Sequence, residues 1–151
     1  MNNGTIFEAI LAKSWVASSL NLVRMKITET GEEKPCDERV DFKDFKIFNE
    51  LKSTATNSFN IKNLKAHQIK SLVYWQKKFK NNLSFVSIEF RKSKTLVIVN
   101  ITDLIHLSIK LNKNTITLKD FENKCFKVIK EKKLYNLKDF EKFLYENFKE
   151  V

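Results

Sequence analysis

Turn-forming residues are scarce in this sequence of 151 residues, which has two Gly and a single Pro, Pro35. Most of the chain is therefore expected in regular elements, and Gly- or Pro-rich linkers are excluded. Cysteine is equally rare: Cys36 and Cys125 stand far apart with no C-x-x-C pairing. That argues against a zinc site or a disulfide framework, and both are expected as reduced thiols. His67 and His106 share no metal-ligand spacing, which counts against zinc-hydrolase chemistry. No run of about twenty apolar residues is present, so no membrane-spanning helix is expected. The first residues lack the basic-then-apolar order of a secretory signal, and the protein is expected in the cytosol. Acids are outnumbered, 18 Asp and Glu against 28 Lys and Arg, for a formal net charge of +10. Such a balance points to a polyanion, nucleic acid or an acidic membrane surface. The excess is spread along the chain, so the folded body itself is expected to meet phosphates. A membrane role is disfavoured because the basic residues do not segregate onto one long amphipathic helix.

What is abundant is apolar residues, 42% of the chain including thirteen Phe, enough for one domain with a real core. Thr5-Ile6-Phe7-Glu8 matches a capping box and predicts a helix from about Ile6 to Ser18. Leu20 to Ile27 reads as a strand with Arg24 and Lys26 outward on one face, followed by a loop, Thr28 to Lys34, acidic at Glu29, Glu32 and Glu33. Ser53 to Asn60 is polar and turn-like. A helix from about Asn63 to Lys80 follows, with Leu64, Leu72, Trp75 and Phe79 in one arc. Gln68 lies within that arc, and an amide there is either tied to nearby backbone or has another purpose.

Leu83 to Arg91 and Thr95 to Ile101 read as strands across Lys92-Ser93-Lys94. The first alternates from Ser84 to Phe90, whereas Leu96 to Val99 is continuously apolar and so buried on both faces. Thr102 or Asp103 caps a short helix through Leu111, Thr117 to Phe121 begins another short element, and Leu137 to Phe148 is an amphipathic helix. The order predicts a single α/β domain over 1–151, a central mixed sheet flanked by helices.

The stretch from Pro35 to Thr54 is the most informative. If Glu38 to Phe42 and Phe45 to Leu51 form a hairpin joined at Lys43-Asp44, its register sets Asp37 opposite Glu50. Like charges across a ladder are destabilising, so the pair makes sense around a divalent cation, and oxygen ligands of this kind suit Mg²⁺. Glu50 and Lys52 project from the same side and Leu51 from the other. Lys52 then lies beside the metal, able to orient water or neutralise charge developing on a phosphate. An E-x-K strand also serves as an ordinary exposed charge pattern.

Taken in order, Phe7-Glu8, Pro35-Cys36-Asp37, Glu50-Leu51-Lys52-Ser53-Thr54, Ser58-Phe59, His67-Gln68-Ile69, Leu96 to Leu104 and Ile116 to Phe121 resemble the RecU-type Holliday-junction resolvases. Those belong to the PD-(D/E)XK nuclease superfamily. The resemblance implies a restriction-endonuclease-like fold, Mg²⁺ (with Mn²⁺ as a substitute) on Asp37 and Glu50, and Gln68 completing or supporting that shell. It further implies that Lys52 stabilises the transition state and gives Glu8 a role near the metal. Two departures stand out. A threonine common two places before the aspartate is Pro35 here, and the loop from Thr28 to Lys34 is short and acidic where cellular members carry a longer basic projection. A compact chain of this kind resembles forms carried by bacteriophages or AT-rich genomes.

The implied reaction is hydrolysis of a DNA phosphodiester by metal-activated water, with Arg24, Lys26, Arg39, Lys62 and Lys65 as phosphate contacts. Resolving a four-way junction needs two symmetric nicks, which a homodimer supplies. Two rivals are a related nuclease acting on flaps or duplex DNA, and a DNA-binding protein of the same fold without catalysis.

Overall fold

Two helices close each face of a mixed sheet, in a computed structural model that describes residues 2–18, 21–28, 34–122 and 124–148. In chain order the elements are α1 (Asn3–Ala17), β1 (Val23–Lys26), β2 (Glu38–Asp41), β3 (Lys46–Thr54), β4 (Ser58–Asn60) and α2 (Ala66–Lys78). They continue with β5 (Asn82–Phe90), β6 (Thr95–Asn100), α3 (Ile101–Leu111), β7 (Thr115–Thr117), β8 (Cys125–Glu131), β9 (Leu134–Tyr135) and α4 (Phe140–Phe148). The main sheet runs β1-β2-β3-β5-β6-β8-β9, and β4 pairs with β7 in a small second sheet. Among the described strands β3 and β5 are the parallel pair, joined by a crossover that contains α2. Every other pairing is antiparallel.

The two faces bury different sets of side chains. Phe7, Leu11 and Trp15 of α1 pack with Phe140 and Leu144 of α4 against Ile47, Phe85, Leu96 and Ile98. On the other face Leu72 of α2, Ile101 and Leu104 of α3, and Phe59 and Ile116 of the small sheet cover Phe48, Val86, Ile88, Val97 and Val99. Strands β5 and β6 are buried along their whole length. Ser84, Ser87 and Glu89 of β5 survive there because each finds a partner. The Ser84 hydroxyl donates to the Leu72 carbonyl at 2.6 Å, and the Ser87 hydroxyl to Asn49 at 2.7 Å. Glu89 accepts from Ser53 at 2.9 Å and from the Tyr135 hydroxyl at 2.7 Å.

The hairpin register expected from the sequence is the one found, with Glu38 opposite Asn49 and Val40 opposite Ile47. Several local expectations are corrected. The first helix starts earlier, and its cap is Asn2, whose side chain accepts from the Thr5 amide, so Thr5 and Glu8 form no capping box. Ser58–Asn60 is a strand, because Thr115–Thr117 arrives from far along the chain to pair with it. Leu64 is buried but precedes α2, in a 3-10 turn's cap, whereas Phe79 ends α2 and is 58% exposed. Asn100 caps α3 through the Thr102 amide, displacing Thr102 and Asp103 from that role. Leu20 and the acidic positions Glu29, Glu32 and Glu33 lie outside the described residues.

Candidate active site

Strands β2 and β3 bring the two carboxylates together as their alternation requires. One step beyond the Glu38–Asn49 pair, Asp37 meets Glu50 on the face covered by α2. The backbone holds Asp37 from both sides: its amide donates to the Asn49 carbonyl at 3.2 Å, and its carboxylate accepts from the Leu51 amide at 2.8 Å. Glu50 is nearly fully buried. Burial, then a hydrogen bond to Asp37 and the charge of Asp37, push the Glu50 carboxyl well above the usual carboxylate range, against the opposing fields of Lys52 and Lys34. Burial also acts to raise Asp37. The bonds from Glu50, Lys34 and the Leu51 amide outweigh it and hold Asp37 below its ordinary value.

Three side chains surround this pair. Lys52, two places after Glu50 and half-buried, is close enough to lower the Glu50 pKa. Gln68 sits in the first turn of α2 and serves two ends at once. Its oxygen accepts from the Lys65 amide at 3.0 Å, and its nitrogen donates to Glu50 at 3.3 Å. Both readings of that amide are thus present, the helix tie and the approach to the carboxylates. The third is Lys34, which reasoning from sequence missed; its ammonium lies 2.8 Å from Asp37. The only signal for it was its place three residues ahead of Asp37. Pro35 contributes its carbonyl, which accepts from the Ser71 hydroxyl of α2 at 3.0 Å and ties the loop to the crossover helix.

The donor set fits a hard divalent cation. Asp37 and Glu50 offer facing carboxylate oxygens, the Lys34 ammonium lies beside Asp37, and Gln68 turns its amide nitrogen to Glu50 and its oxygen to the Lys65 amide. Among the described residues no group of three or more His, Cys, Asp or Glu side chains is placed to hold a metal. Asp37 and Glu50 are therefore the ligands to consider, with Gln68 supporting Glu50.

The remaining candidates divide. Glu8 pairs with Lys26 at 3.3 Å and contributes to the field at Lys34, so it borders the site through a lysine. Arg24 does not point outward as expected. Its guanidinium bonds inward to the fully buried Glu38 at 2.9 Å, because Glu38 needs a countercharge. Arg39 is held by both oxygens of Asp41, at 2.8 and 3.0 Å, and lies over the Phe48 ring. Lys62 and Lys65 are exposed at the approach to α2. They belong to a run from Leu51 to Ile88 without a single acid, in which lysines continue at 52, 62, 65, 70, 77, 78 and 80. The evenly spread charge read from the sequence is thus interrupted in one respect, an acid-free crossover beside the carboxylates.

The family model for Recombination protein U matches residues 33–142. The chain belongs to the RecU family. RecU proteins are Holliday junction resolvases, and the matched segment carries Asp37, Glu50, Lys52 and Gln68, while Glu8 lies ahead of it. Among solved structures the fold is similar to that of Hjc, a Holliday junction resolvase from the archaeal hyperthermophile Archaeoglobus fulgidus. The TM-score is 0.56 at 15% identity, over 78% of this chain and 89% of that one. The mixed sheet with helices on both faces is the restriction-endonuclease-like fold that the sequence resemblance implied. No curated protein matches the sequence. Among the described residues no helix is long and apolar enough to cross a membrane.

Proposed function

We propose that this protein is a divalent-metal-dependent DNA endonuclease that resolves four-way junctions in the cytoplasm by paired symmetric nicks, acting as a homodimer. The observation that carries this reading is the facing pair Asp37 and Glu50 with Lys52 alongside, in a chain of the RecU family. Asp37 and Glu50, with Gln68, would hold Mg²⁺, or Mn²⁺ in its place. The ion supplies Lewis acidity toward the phosphoryl oxygens and acidifies water. Lys52 projects from the same side of β3 as Glu50, and its ammonium offsets the charge that accumulates on the phosphate as water attacks. Leu51 contributes through its backbone, since its amide keeps the Asp37 carboxylate aimed at Glu50. The exposed Lys62 and Lys65, with Lys26 at the rim, fit phosphate contacts that position DNA without reading its sequence. A second copy related by a two-fold axis would supply the second nick.

A labelled mobile four-way junction, incubated beside matched linear duplex and flap DNA with Mg²⁺ or EDTA, tests the reading with wild type and Lys52→Ala. Paired symmetric nicks confined to the junction, lost in EDTA and in the variant, are expected. Equal cutting of all three substrates would make the protein a general nuclease. Binding without cutting would make it a DNA-binding module. Sedimentation at micromolar concentration is expected to give a dimer.

A further inference from the structure

Directly behind the carboxylate pair, on the opposite face of the same two strands, lies a polar cluster within the apolar layer under α1. Its centre is Glu38, fully buried. One carboxylate oxygen accepts from the Trp15 indole at 2.9 Å and from the Asn49 amide at 2.8 Å, and the other accepts from Arg24 at 2.9 Å. Asn49, also fully buried, in turn accepts from the Ser87 hydroxyl at 2.7 Å. The cluster links α1 with β1, β2, β3 and β5. Apolar neighbours surround it, including Phe7, Leu11, Val40, Ile47 and Phe85.

Stability alone does not call for such a cluster. Well-packed apolar residues in place of a buried ion pair are often as stable or more so, and the best-attested return on a buried polar pair is the choice of one register over others. Glu38 and Asn49 face each other across the β2–β3 ladder, next to Asp37 and Glu50. A slip of two residues would keep each side chain on its own face, so alternation does not forbid it. Such a slip would set Asp37 opposite Phe48 or Lys52. It would also set the buried Glu38 carboxylate against Ile47 or Leu51, parting it from the Asn49 amide while Arg24 stays beside it on β1, and it would leave the buried Asn49 amide without its acceptor, a costly error in a core.

We infer that Glu38 and Asn49 are positioning residues for the nuclease site, a cross-strand lock that sets Asp37 against Glu50, with Arg24 as its countercharge rather than a DNA contact. This rests on the reading of Asp37 and Glu50 as the metal-binding carboxylates. The lock acts through backbone register, so it governs metal affinity and the rate of cutting and leaves DNA affinity alone.

Two substitutions compared in one background test it. In Arg24→Met protein the ion pair is gone in either case. Glu38→Gln keeps an acceptor for Trp15 and Asn49, whereas Glu38→Leu removes it. Mn²⁺ affinity by calorimetry and the rate of junction cutting are expected to be about tenfold or more lower in the Leu variant than in the Gln variant, in the range found when groups supporting metal ligands are removed. KM for the junction should stay level. Asn49→Ala, which leaves Arg24 and Glu38 paired, is expected to show the same loss of Mn²⁺ affinity. Equal Mn²⁺ affinity and cutting across these variants would overturn the inference. If circular dichroism shows the Leu variant unfolded, Asn49→Ala decides alone, since wild-type Mn²⁺ affinity there would overturn the lock. A wild type that cuts no junction would overturn the proposed function instead, and the Mn²⁺ series would still judge the register.

Discussion

Gln68 reaches from the first turn of α2 to Glu50 on β3, with its amide nitrogen 3.3 Å from the carboxylate. The same side chain accepts from the Lys65 amide and so completes the start of its own helix. Gln68→Ala is therefore expected to have two separable effects. Loss of the helix-start bond should cost about 1 kcal/mol in denaturant unfolding. Loss of the group beside Glu50 should weaken Mn²⁺ binding and slow junction cutting about tenfold.

Lys34 and Lys52 flank the carboxylates with opposite expected roles. The Lys34 ammonium pairs with Asp37 at 2.8 Å, so a cation binding Asp37 competes with it. Lys34→Ala should bind Mg²⁺ at least as tightly as wild type and retain cutting. Its stability should change by about 0–1 kcal/mol, as for other partly exposed ion pairs. Lys52→Ala should keep Mg²⁺ affinity and lose about a hundredfold or more in single-turnover cutting, on the scale of removing a donor that meets developing charge. Equal behaviour of the two variants would refute this division.

Buried facing carboxylates make the folded protein a better metal ligand than the unfolded chain, so Mg²⁺ at about 100 times its Kd should add about 2.7 kcal/mol of stability. Thermal scans with Mg²⁺ and with EDTA read this directly. Glu50→Gln is expected to abolish the increment while leaving the EDTA midpoint about unchanged, because burial and Asp37 already favour the neutral form of Glu50 and Gln keeps a neutral donor of the same shape beside Asp37.

Tyr135 predicts an alkaline limit. Burial, then its hydrogen bond to Glu89 and the charge of that carboxylate, raise the phenol pKa far above its ordinary value of about 10. The unfolded phenol ionises near pH 10 and the folded one does not, so above that pH the unfolded state binds fewer protons. The stabilisation is complete below about pH 10 and falls as pH rises further. Denaturant unfolding between pH 8 and 11 should show this decline. Tyr135→Phe should flatten it while costing about 1–3 kcal/mol at pH 8 by stripping Glu89 of a donor.

The legible parts of this fold were the short-range ones. Asp37 could be set against Glu50 from the sequence because the hairpin connecting them is local and alternation leaves little choice. The pairing of β4 with β7 and the edge pair of β8 with β9 escaped notice. Ser58–Asn60 and Leu134–Tyr135 are too short to show a period, and the first gains its partner only from residues 115–117. Arg24 was misread for a related reason. Its alternation with Lys26 suggests a solvent face, but direction was decided by Glu38, whose burial under Trp15 no neighbouring residue announces. At α1, Thr5 and Glu8 had the right spacing for a cap, and Asn2 claimed the position by lying one turn earlier. That leaves Glu8 to pair with Lys26.

The parallel pairing of β3 with β5 has a consequence for how the site comes into being. Two neighbouring strands that run the same way cannot be joined by a tight turn, so the chain must travel back over the sheet, and here it does so through the helix that carries Gln68. Glu50 and Gln68 are thus opposite ends of one covalent loop whose closure also assembles the candidate site. Amide protons of Asn49, Glu50, Leu72 and Val86 should exchange with solvent together, as one cooperative opening. A chain that has not yet docked this crossover has no half-assembled nuclease to turn loose on the DNA around it.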